Sequence, residues 1–120
     1  MRLSIPAVAA MLMLAATPSA FAHAYLTKSS PAAGAVVGAS TSSMLLIFTE
    51  AVQPKFCTVT VTDSAGIPAD TGAPQAVPGH GNELSVPVHF SRAGKYTVKW
   101  HALSVDTHKT HGTFSFSVNQ

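Results

Sequence analysis

Cysteine is almost missing from this chain: Cys57 stands alone among 120 residues, so no internal disulfide can form and stability has to come from packing. Charge is sparse too, with Asp, Glu, Lys and Arg at 10% of residues. Seven Lys and Arg stand against five Asp and Glu, and Arg2 belongs to a leader described below, which leaves a balance near +1. No basic run marks a nucleic-acid or anionic-lipid surface, so electrostatics does not identify a partner. Helical periodicity is lacking after residue 22, where apolar residues do not recur every three to four positions. Methionine is confined to positions 1, 11, 13 and 44, so a chain shorn of its leader keeps only Met44, inside an apolar run. A methionine-rich site for a soft metal ion is thereby excluded. No internal repeat is present.

What is there begins with the leader. Arg2 supplies a positive start, Ile5 to Ala16 an uncharged apolar core, and Thr17 to Ala22 a small-residue tail ending in Ala20-Phe21-Ala22. This is the pattern of a secretory signal, cleaved after Ala22, and its core is too short for the roughly 20 residues that cross a bilayer. Residues 1–22 are therefore expected to be removed on export to the periplasm, leaving one domain over residues 23–120 with His23 at its amino end and no membrane span. That length suffices for one core and not for two.

Along this domain the patterns are those of strands. Residues 23–29 form an expected edge strand, ended at Ser30-Pro31. Ser43 to Thr49, centred on Met-Leu-Leu-Ile-Phe, is a short continuous apolar run, the mark of a buried strand. Phe56 to Thr62 alternates Val59 and Val61 against Thr58, Thr60 and Thr62, and Cys57 in this strand is expected to act as a small buried hydrophobe. Asp63 to Asn82 holds four glycines and three prolines and is expected to be a long surface loop, with His80 solvated. Glu83 to Phe90 alternates again, and Pro87 argues for an edge strand or a bulge, with His89 turned to solvent. From Gly94 a longer strand sends Tyr96, Val98, Trp100 and Ala102 to the core and His101 to the opposite face. After a loop over residues 106–112, Phe114, Phe116 and Val118 share the core face of a last strand. Several short strands in about 100 residues indicate an all-β sandwich or barrel, immunoglobulin-like, with Greek-key connections.

Chemistry concentrates at the two ends of the domain. An amino-terminal histidine offers its free amine and its own Nδ1 to one metal ion, two nitrogens from a single residue. At pH 7 deprotonating that amine costs only about 1 kcal/mol. Asp106 and His108, two apart, can turn to one side and add a carboxylate oxygen and an imidazole nitrogen. Three nitrogens and one oxygen suit the tetragonal preference of Cu(II) better than the tetrahedral one of Zn(II), and the set lacks the soft donors of a Cu(I) site. His111, three residues on, is a candidate axial ligand, alternative ligand or support for His108. Asp-x-His-x-x-His alone is a weak signal; its coincidence with a terminal histidine carries the reading.

The start His23-Ala-Tyr-Leu-Thr-Lys-Ser-Ser-Pro-Ala-Ala-Gly-Ala, the strand end Leu46-Ile-Phe-Thr-Glu, and Gly94-Lys-Tyr-Thr-Val-Lys-Trp-His-Ala-Leu-Ser-Val-Asp-Thr-His with Gly112-Thr-Phe-Ser-Phe-Ser-Val resemble the CopC family of periplasmic copper-resistance proteins. The resemblance covers nearly all of residues 23–120. It implies a Greek-key β fold, one Cu(II) per chain held by His23, Asp106 and His108, and an inner-membrane copper transporter of the CopD type as partner to a monomeric carrier. Members with a methionine-rich loop carry a second, Cu(I) site; residues 63–82 have no methionine, so Cu(II) alone is expected. Two other readings compete. A histidine-brace oxidative enzyme also begins with histidine, but Asp106 would fill the position where dioxygen binds and disfavour Cu(I). A plain β-sandwich interaction module would leave the histidines incidental.

Overall fold

A computed structural model describes residues 23–120; the expected signal peptide, residues 1–22, lies outside the described residues. Strands β1 (Leu26–Ser30), β2 (Val36–Gly38), β3 (Ser43–Phe48), β4 (Thr58–Thr62), β5 (Gln75–Val77), β6 (His80–Pro87), β7 (Gly94–Leu103) and β8 (Lys109–Asn119) follow one another, with a 3-10 turn at Pro54–Phe56 between β3 and β4. They make two four-stranded sheets, ordered β1-β3-β6-β5 and β2-β8-β7-β4. Each of the first five strands lies in the sheet opposite to its predecessor, and the β5-β6 and β7-β8 hairpins follow, as in a Greek-key sandwich.

Alternation in the sequence decides which side of each strand is buried. Tyr96, Val98, Trp100 and Ala102 from β7, Val59 and Val61 from β4, and Phe116 and Val118 from β8 meet Met44, Leu46, Phe48, Leu84 and Val86 of the other sheet. Each large side chain buried in this way contributes about 1.5–3 kcal/mol. Phe48 meets Trp100 edge-on at 5.3 Å, and Tyr96 stacks on Phe116 at 5.9 Å. The buried Tyr96 hydroxyl donates to the Arg92 carbonyl at 2.8 Å, so its polar tip carries no burial penalty. Cys57 is buried, as expected for a small hydrophobe.

Several expectations are corrected. Residues 63–82 are not all loop: β5 and the first residues of β6 lie within them, Val61 N–H donates to Asp70 Oδ1 at 2.9 Å, and Ala69 is buried. Backbone pairing at a sheet margin needs no apolar side chains, so composition concealed it. β6 is internal, between β3 and β5; Pro87 is tolerated because it is the last residue of the strand, beyond the reach of the β5 ladder at Ser85. The β3 run is buried on one face only, Leu45 and Ile47 being half-buried, because a two-layer sandwich leaves one side of each sheet outward. β8 begins at Lys109, so the loop expected over residues 106–112 is shorter than its composition suggested: it closes at His108, and His111 lies inside a strand. Pairing with β7 recruits residues 109–112 into the ladder although their side chains are polar or absent.

All of β7 is paired with β8, from Gly94 opposite Val118 to Leu103 opposite Lys109. Gly112 faces Trp100 in this ladder, and a Cβ added there would stand 2.7 Å from the indole. Here a glycine marks the close approach of a large neighbour. Gly112→Ala should destabilise the domain by about 1–3 kcal/mol through overpacking, read as a lower urea midpoint with an unchanged slope.

Candidate metal centre

Residues 23–25 are pinned before the first strand starts. The Thr49 hydroxyl donates to the His23 carbonyl at 2.7 Å and accepts from Tyr25 N–H at 3.0 Å, while Thr49 N–H donates to the Tyr25 carbonyl at 2.8 Å. From the other sheet the buried Thr110 hydroxyl donates to the Ala24 carbonyl at 2.7 Å, and Ala24 is fully buried. β1 itself begins only at Leu26, later than the pattern suggested, because these hydroxyls take the partners a ladder would supply. The segment is nonetheless ordered, as an expected ligand at residue 23 requires.

The tip of the β7-β8 hairpin is built around Ser104, which is wholly buried. Its N–H donates to the His108 carbonyl at 3.0 Å, its hydroxyl accepts from His108 N–H at 3.0 Å, and its carbonyl accepts from the Gln53 amide at 2.9 Å. The same hydroxyl donates to Asp106 Oδ1 in a very short hydrogen bond. Thr107, between the two expected ligands, takes a φ of 70°, a left-handed conformation unusual for a threonine, which turns Asp106 and His108 to the same side. Asp106 Oδ2 lies 3.4 Å from His108 Nδ1. The Ser104 hydrogen bond, helped by the neighbouring His108 imidazole, holds the Asp106 carboxyl below its ordinary value, so it is ionised wherever the domain is folded near neutral pH.

His23 and His108, from opposite ends of the domain, come together here with ring centroids 4.7 Å apart. Tyr25 lies beside them, 5.6 Å from the His23 ring. His108 Nδ1 is shielded from solvent, while the Asp106 side chain is 48% exposed. The three residues form a chain of neighbours, His23 to His108 to Asp106; among the described residues no three His, Cys, Asp or Glu side chains already close on one point. The donors are two imidazoles and a carboxylate. Soft donors are elsewhere: Met44 is 1% exposed in the core, and the buried Cys57 thiol donates to the Gln53 carbonyl at 3.2 Å, its pKa pushed up by burial. His80 is exposed with Nδ1 3.4 Å from Glu83, and His89 is exposed. His111 stands opposite His101 on β7 and is exposed. Ser104 carried no signal in the sequence, because a serine two residues before an aspartate is too common a pattern to single out.

Fold and site together define a small two-sheet β-sandwich with an imidazole and carboxylate cluster where its first residues meet the tip of its last hairpin. The CopC domain model matches residues 26–119, and the chain belongs to the CopC family. It is 40% identical over 103 residues to Protein YobA of Escherichia coli (strain K12), spanning 85% of this chain and 83% of that protein. It is 37% identical over 109 residues to copper resistance protein C of Xanthomonas campestris pv. juglandis, spanning 86% and 85%. Among solved structures, CopC from Methylosinus trichosporium OB3b superposes with a TM-score of 0.74 at 29% identity, over 81% of this chain and 94% of that one. PcoC, a methionine-rich copper resistance protein from Escherichia coli, does so at 0.69 and 30%, over 82% and 100%.

Ser104→Ala should move the Asp106 carboxyl titration upward, followed by NMR of its side-chain carbon. Because the folded value lies below the unfolded one, this bond adds stability above the ordinary carboxylate range and loses it as pH falls through the lowered value. The variant's stability deficit should therefore be largest at neutral pH and shrink in acid to the part left by the lost His108 N–H acceptor, which does not titrate. Cys57, protonated and buried, should resist alkylation by iodoacetamide until the domain is unfolded.

Proposed function

We propose that this chain is a periplasmic Cu(II)-binding protein that sequesters or carries one copper ion per molecule, and that removal of residues 1–22 completes its site. The observation that carries the reading is the meeting of the His23 and His108 rings at 4.7 Å, with Asp106 beside His108. Cleavage before His23 would free its α-amine and let it close a chelate with its own Nδ1, to which His108 and Asp106 add the third nitrogen and the oxygen. The ionised, serine-tethered carboxylate supplies a hard donor without a proton to displace, and hard N/O donors in a tetragonal set favour Cu(II). Copper resistance in the names of the Xanthomonas relative and of PcoC supports copper as the cargo.

CopC-family proteins are binding proteins and not enzymes, in keeping with a carboxylate at the position an oxidative copper site leaves open. The absence of methionine over residues 63–82 supports Cu(II) without a Cu(I) relay. The carrier acts as a monomer and passes copper to an inner-membrane transporter of the CopD type.

The exported protein should have the mass of residues 23–120 and gain one copper on adding one equivalent of Cu(II). One extra residue before His23 should weaken Cu(II) binding by about 100-fold or more, and Asp106→Ala by about tenfold or more, 1.4 kcal/mol. Competition titration with a chromophoric chelator measures both; unchanged affinity in either variant would remove that residue from the ligand set.

A further inference from the structure

The cluster at the hairpin tip leaves a second histidine pair unused. His101 on β7 and His111 on β8 are register partners, their rings stacked with centroids 5.9 Å apart and planes at 29°. Both are exposed, whereas their strand neighbours Ala102 and Thr110 are buried. Because side chains alternate across a sheet, the pair projects from the outer face, opposite to the face on which the Thr110 hydroxyl meets Ala24. The next residue across the sheet is Thr58 of β4, and Phe56, Leu103 and Lys109 border the same shallow depression.

We propose that His101 and His111 form a second, surface metal site, a two-imidazole chelate for a divalent transition-metal ion, with water completing the coordination. Two nitrogens each about 2.0–2.1 Å from one ion stand no more than about 4 Å apart. Facing rings held at 5.9 Å by a paired backbone reach that separation by side-chain rotation alone, so little ordering is needed before the ion binds. Neutral imidazole donors select the copper and zinc end of the series over calcium or magnesium, which require oxygen ligands. No carboxylate shares the outward rows of β4, β7 and β8; the charged groups there are Lys95, Lys99 and Lys109, whose repulsion keeps the affinity below that of a site with a carboxylate ligand.

Zn(II), which is diamagnetic, is the probe. In a titration of the full chain followed by histidine side-chain NMR, the His101 and His111 resonances should move together with one saturation point, separately from those of His23 and His108. His101→Ala should weaken the response of His111 by about tenfold or more, and His111→Ala that of His101, since a single imidazole has lost the chelate. The exposed His89 serves as the internal reference for single-histidine binding. Independent curves for the two residues, an affinity no better than that of His89, or an undiminished response of one after loss of the other would each overturn the proposal. The readout is residue by residue, so failure here leaves the His23, Asp106 and His108 reading untouched, and failure of that reading leaves this one standing.

Discussion

One buried hydrogen bond joins the first described residues to the last strand: Thr110 of β8 donates its hydroxyl to the Ala24 carbonyl at 2.7 Å. With Thr49 of the loop after β3 holding His23 and Tyr25 from the other side, it fixes the path of residues 23–25 between the two sheets. Lifting Ala24 away would give up this bond, a net loss of about 0.5–1.5 kcal/mol, and expose a fully buried residue. The meeting of His23 with His108 follows from that anchorage.

The same economy of polar groups governs the hairpin tip. Ser104 is wholly buried, yet its N–H, carbonyl and hydroxyl all find partners in His108, Gln53 and Asp106. A fully satisfied polar node is rigid, and here it sets both the backbone of His108 and the charge of Asp106. Thr107 carries the conformational strain that aims the two at one side. Ser104 and Thr107 thus hold Asp106 and His108 side by side.

The β7-β8 ladder separates the histidines by face. His108 sits at the turn near His23, while His111, three residues on, is carried to the outer face beside His101. Strand parity makes these different places although they are neighbours in sequence. This chain therefore presents imidazole groups at two places on one hairpin, His108 half-buried beside His23 at the tip, and His101 with His111 exposed on the outer face.

Alternation is a local property, and it determined by itself the core faces of β4, β7 and β8, the burial of Cys57 and Trp100, and the all-β class. The residues at 23, 106 and 108 were legible only as candidates, through the coincidence of Asp-x-His with an expected terminal histidine. Only tertiary structure decided that β6 is internal despite Pro87, that residues 75–77 join a sheet, that Ser104 tethers Asp106, and that His111 pairs with His101. Each of these depends on which backbone lies alongside which, and register between distant segments is set by the packing of the whole sandwich, which no window of neighbouring residues contains.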